Sequence, residues 1–150
     1  MTDPTIPSPK TPWHLWVVGV IAVLWNAMGA LDFTMTQTHN EAYLKALTPE
    51  QLAYIYGFPL WSVFAWGAGT WGGFLGSLLL LFRRGFASNL FAASLFGAVI
   101  TNIYSYGLSD GLKVMQNGAG AVVFSAVIFV IAVLLFVYAR AMRQRGVLRG

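Results

Sequence analysis

Apolar residues run almost unbroken through four stretches of the chain, residues 13–31, 60–82, 86–108 and 118–138. At a rise of about 1.5 Å per residue in an α-helix, each stretch is long enough to cross a hydrocarbon layer of about 30 Å. The pattern predicts an all-α fold, an integral membrane four-helix bundle whose solvent is lipid. Polar residues gather in the connections, of which residues 32–59 form the longest. Within it, LTPEQLAY sets Thr48 three residues ahead of Gln51 with Pro49 next to the threonine. That is the spacing of a capping box with proline at the first helical position. A short amphipathic or interfacial helix is therefore expected in this first outer loop, and the Gly57-Phe58-Pro59 turn should end it,. Three parts result: a Pro-rich leader over residues 1–12, a four-span membrane domain over residues 13–139, and a basic tail over residues 140–150.

Composition supports the same class. Hydrophobic residues make up 57% of the chain and charged residues 9%, whereas soluble domains carry about a quarter charged residues. The chain has no cysteine, which removes disulfides, zinc–thiolate sites, iron–sulfur clusters and thiol nucleophiles together. Charge sorts by the ends of the spans. Lys10, Arg83, Arg84, Arg140, Arg143, Arg145 and Arg149 flank one end, while the other connections hold Lys45 and Lys113 among Asp32, Glu41, Glu50 and Asp110. Basic residues are retained on the cytoplasmic side, so both termini are expected in the cytoplasm and the acidic loops outside. The net charge of +4 then reports topology, and no nucleic-acid partner is expected. The leader has prolines and one lysine but no basic n-region, and no small-x-small site closes the first apolar run, so that span is expected to be retained.

Small residues predict how the helices pack. In the second span Gly69, Gly72, Gly73 and Gly76 form two overlapping GxxxG pairs within one arc, and such glycines let two helix backbones approach. The third span answers with a stripe of Ala93, Gly97, Thr101 and Ser105. Packing within the bundle is the simpler expectation for these stripes; a homo-oligomer or a larger membrane protein complex is the other.

Few polar groups interrupt the spans. Asn26 and Asn102 each lie about 20 Å from the cytoplasmic ends of their helices, and an interhelical hydrogen bond between them, contributing on the order of 1 kcal/mol, is the expected pairing. Asp32 lies about 9 Å beyond Asn26, where a carboxylate ends the first helix at the interface or serves a proton or ligand. Trp25, Trp66 and Tyr104 fall at similar depth. With Asp32, Asn26 and Asn102 they make a candidate ligand or proton site, a cleft of rings and hydrogen-bonding groups suited to a small molecule. The two histidines, His14 and His39, fall at opposite ends and cannot share a metal. The glycines lack the strand context of a phosphate-binding loop, and no serine sits near a histidine base. Neither catalysis, a cofactor nor a metal is expected.

The stretch PWHLWVVGVIAVLWNAMGALDFTMTQT, followed by EAYL, LTPEQLAYIYGFPLW and WGAGTWGGFLGSLLLLFRR, resembles a family of small bacterial four-helix inner-membrane proteins often labelled "sugar transporter". The resemblance implies the four-span topology and a bacterial inner-membrane location, and it brings no catalytic residues. Two functions are compatible with these features. The first is a non-enzymatic accessory or assembly subunit that packs against a larger complex or itself. The alternative is a small-solute, sugar-like transporter or an outer-half ligand-binding membrane protein.

Overall fold

The structure is a computed structural model that describes residues 7, 9–115 and 118–150. Most of the Pro-rich leader lies outside the described residues. The order of elements is α1 (Trp13–Gln37), α2 (Glu41–Leu44), α3 (Pro49–Tyr56), α4 (Leu60–Leu81), α5 (Ala87–Asn102) with a π-helical turn Ile103–Leu108 continuing it, α6 (Gly111–Val114) and α7 (Gly118–Gln144). Four helices are long and apolar enough to cross a membrane: Trp13–Gln37, Leu60–Leu81, Ala87–Leu108 and Ala119–Gln144. The protein is a multi-pass membrane protein built as an all-helical bundle.

Three boundaries differ from the apolar pattern. Helix α1 does not end at residue 31 but continues past Asp32 to Gln37. The hydroxyls of Thr34 and Thr38 donate to the carbonyls of Ala30 and Thr34 at 2.7 and 2.8 Å, so these polar residues continue the helix by bonding back onto it. The helix stops at His39, which takes a left-handed φ of 54°. Its N–H donates to Thr36 O while that of Asn40 donates to Met35 O, the paired bonds of a Schellman ending. In the third span, the final residues from Ile103 form the π-helical turn rather than regular α-helix. Ser109 Oγ donates to the Tyr104 and Ser105 carbonyls at 2.9 and 3.2 Å, which satisfies groups that the wider turn leaves open.

The basic tail is the third difference. Residues 140–144 belong to α7, and the chain then turns through Gly146 at φ 71°. Val147 and Leu148 are buried, at 6% and 4% exposure. Arg149 N–H donates to Arg83 O at 2.7 Å, and Gly85 N–H donates to Arg149 O at 2.8 Å. Residues 147–149 thus form a strap across the α4–α5 corner.

The expected helix in the first loop is α3. Gln51 N–H donates to Thr48 Oγ1 at 3.2 Å, and Thr48 N–H donates to Gln51 Oε1 at 3.0 Å, completing the capping box. Two tyrosines fasten α3 to the bundle: Tyr56 OH donates to Thr36 O at 2.8 Å, and Tyr54 OH shares a hydrogen bond of 2.7 Å with Ser109 Oγ.

Helix α4 packs between α1 and α5, and α7 packs on the far side of α5. The α4–α5 contact is close because neither helix carries a side chain there. A methyl on Gly97 would strike the Ala65 carbonyl and the Gly69 N–H, and Gly72 lies against the backbone of Leu90 and Ser94. Helices α1 and α7 meet through side chains, by the 2.5 Å hydrogen bond between His14 Nδ1 and Tyr138 OH and by the Trp25 and Phe124 rings, 6.4 Å apart. At the basic end, which carries the arginines, Leu15, Leu80, Phe91, Leu135 and Ala139 form a continuous core together with Val147 and Leu148. Towards the opposite end, the loop end, that core gives way to open space.

Candidate functional site: a cavity in the loop half of the bundle

A cavity of about 600 Å³ lies where all four spans converge above the core. Helical spacing explains each wall, because residues three or four apart share a face. Helix α1 contributes Trp25, Met28, Gly29 and Asp32, α4 contributes Trp66, Gly69 and Thr70, and α7 contributes Phe124, Ser125 and Ile128. The α5 wall is Ser94, Ala98, Thr101 and Asn102, extended by Ser105 and Tyr106 of the π-helical turn. Five of the six residues in the sequence-derived cleft therefore line one cavity: Asp32, Asn26, Asn102, Trp25 and Trp66.

Tyr104 does not line it. Its ring packs edge-on against Phe58 and Trp61, at 4.9 and 5.4 Å. Two residues on a helix differ by about 200°, so Tyr104 cannot share the face of Asn102. Tyr106, four residues on, does share it, and its hydroxyl shares a 2.6 Å hydrogen bond with Ser125 Oγ. That spacing was available in the sequence. Tyr43 is another residue absent from the sequence-derived cleft, and no periodicity signals it: it reaches the cavity because α2 folds back over α1, with Asn40 Oδ1 accepting from Tyr43 N–H at 3.0 Å.

The expected hydrogen bond between Asn26 and Asn102 is absent. Asn26 Nδ2 donates to Ala22 O at 2.9 Å and to Ser77 Oγ at 3.0 Å, while Asn102 Nδ2 donates to Ala98 O of its own helix at 2.8 Å. Equal depth does not give equal azimuth. Asn26 turns towards α4, where Gly73 leaves it room: a methyl on Gly73 would collide with Asn26 Oδ1. Gly76 is likewise filled from outside, by the Phe91 ring. The glycines of α4 are thus turned into the bundle, against α5 and Asn26.

Asp32 is half-buried and held at the loop end of the cavity. Tyr43 OH donates to its Oδ1 at 2.6 Å. Accepting that proton bond keeps the phenol neutral, and with some burial and the carboxylate's charge it pushes the Tyr43 pKa up to about 12,. No basic residue lines the cavity. Among the described residues the one ion pair, Lys113 with Asp110, is exposed and lies in α6 and its cap. The neighbouring carboxylate, through its hydrogen bond and then its charge, raises the Lys113 pKa.

Aromatic rings back the polar groups. Phe33 meets Trp66 edge-on at 5.0 Å, and Phe58 lies 6.3 Å from the same indole. His14 and His39 sit at opposite ends, the latter stacked on Tyr56 at 4.3 Å. Among the described residues no three His, Asp or Glu side chains come together as a metal site would require. At the basic end a second hollow, of about 460 Å³, lies between α5 and α7. There Arg143 donates to Ser88 Oγ and Asn89 Oδ1 at 3.2 and 3.1 Å. Compared with protein-family models, with curated proteins and with solved structures, the chain matches none.

Proposed function

We propose that this protein is a non-enzymatic binding protein of the bacterial inner membrane, which takes a small amphiphilic molecule into the loop-half cavity. The observation that carries this reading is the convergence of Asp32, Asn26, Asn102, Thr101 and two indoles on one space of about 600 Å³. A membrane bundle without a ligand gains by filling such a space with side chains, because lost contacts destabilise it. Mostly apolar walls with a few polar groups are also the usual make-up of a small-molecule site. Orientation follows from charge: the arginines favour the basic end in the cytoplasm and the cavity towards the outer leaflet.

Filling the space tests the reading. Thr101→Phe directs a ring into the cavity and gives up only the hydroxyl's bond to Gly97 O of its own helix. The expected outcome is a folded, thermally stable protein that has lost saturable binding of small amphiphiles measured by titration calorimetry in nanodiscs. A variant that binds as the parent does places any binding elsewhere.

The exposed aliphatic face of α7, with Val123, Val130, Leu134 and Val137 all largely uncovered, supports a second reading, docking on a larger membrane complex. The α4 glycines do not add to it, since they are spent inside the bundle. Native mass determination after gentle detergent extraction distinguishes the two: a strictly isolated monomer counts against docking.

A further inference from the structure

The cavity's unused chemistry is unequal. Its donors are largely consumed by the protein itself: Thr70 donates to Trp66 O, Ser94 to Gly69 O, Thr101 to Gly97 O, and the amides of Asn26 and Asn102 to Ala22 O and Ala98 O. Asn26 spends its second N–H on Ser77 Oγ while Asn102 keeps one, so these groups leave mostly oxygen lone pairs,. The Ser105 hydroxyl and the indole N–H groups keep some donor capacity, so hydrogen bonding alone does not discriminate between ligands. Charge does. Asp32 brings a carboxylate whose bonded partner, Tyr43, is neutral, and the cavity wall contains no lysine, arginine or histidine.

A half-buried carboxylate without a cation is costly in a low-dielectric setting, and the cost falls when a positive charge arrives. Trp25, Trp66 and Phe124 add ring faces and edges around the same space; a cation over an aromatic face gains further. We infer that the cavity takes an organic monocation, an ammonium head on an aromatic or aliphatic body, with Asp32 as its counter-charge. This inference rests on the binding reading above and names the ligand class. The apolar body would lie against the apolar wall that includes Ile128, Phe124 and Met28, and the ammonium would sit beside the Asp32 carboxylate. An anion of the same shape would find the few remaining donors but also the like charge of Asp32.

A matched set of probes tests it: 2-naphthylethylammonium, 2-naphthylethanol and 2-naphthylacetate, titrated calorimetrically into the protein in phosphatidylcholine nanodiscs with empty discs subtracted. The ammonium is expected to bind saturably at one site and about tenfold or more tighter than the alcohol, with the acid weakest. Asp32→Asn keeps an oxygen for Tyr43, and should bring the ammonium within about twofold of the alcohol. Equal binding of ammonium and alcohol by the parent overturns the charge inference and leaves the cavity reading standing. An ammonium preference that survives Asp32→Asn also overturns it. Binding of none of the three above empty discs removes both readings. If Asp32→Asn does not fold, Asp32→Glu together with the parent's own ranking of the probes decides the matter, since an alcohol or acid bound best defeats the inference without any variant.

Discussion

Gly97 and Gly73 both sit at close approaches in the bundle, and they fail differently when a methyl is added. At Gly97 the new carbon meets the backbone of α4, at Ala65 O and Gly69 N, which cannot step aside. Gly97→Ala should therefore force α4 and α5 apart at a cost on the order of 2–3 kcal/mol. At Gly73 it meets the side-chain amide of Asn26, which can rotate but only by surrendering its bond to Ser77, so about 1–2 kcal/mol is expected. Gly107 faces open space, and Gly107→Ala should change stability by less than about 0.5 kcal/mol. Denaturant unfolding in micelles ranks the three, and equal effects at Gly97 and Gly107 would contradict the packing. Which residues matter was partly legible from spacing alone. The depths of Asn26 and Asp32 follow from counting along α1, but a count along one helix says nothing about which neighbour its face meets. Asn26 for that reason found Ser77 instead of Asn102. The choice of Tyr104 over Tyr106, by contrast, ignored a rotation of about 100° per residue that the sequence does supply.

Among the elements, the shortest has the clearest pH signature. Helix α2 reaches the cavity through the bond from Tyr43 to Asp32, and its phenol is pushed from an ordinary 10.0 to about 12. A tyrosine whose folded pKa is raised is favoured by the fold in its neutral form. The linked stability is fully present below pH 10.0 and is lost as the pH climbs through about 12,. Absorbance at the tyrosinate band should show a late phase in this window that loses one tyrosine's amplitude in Tyr43→Phe; a parent whose tyrosines all titrate near the ordinary value would rule out the tether. The spans themselves were legible because membrane thickness dictates the length of an apolar run. Their ends were not: α1 outlasts its apolar run because threonine hydroxyls bond back to the helix, and His39 closes it where glycine is the usual signal. The π-helical turn has no period of its own in six residues, so it read as ordinary helix.

For the whole molecule, charge asymmetry and architecture make a joint statement about sidedness. The chain has no cysteine, so single cysteines introduced at Glu50 and Gln144 report cleanly on exposure. An impermeant maleimide added to intact spheroplasts should label the former and spare the latter; labelling of both from one side would break the orientation and the outer-leaflet position of the cavity. The bundle class was legible from composition and five of the cavity's lining residues from depth along the helices, while the α7 wall was not, because α1 and α7 meet through side chains at two heights rather than packing along their length. The strap of residues 147–149 has a consequence of its own. By bonding Arg149 to Arg83 and Gly85, it ties the last span to the corner between the second and third, so that the chain from that corner through α5 and α7 closes into a hydrogen-bonded ring. Such a ring resists fraying from the arginine-rich end, since α7 cannot peel away one turn at a time until both bonds and the seats of Val147 and Leu148 are given up together. The opposite end has no equivalent clasp between α1 and α7 in the described residues, so breathing motions of the bundle are channelled to the half that holds the carboxylate.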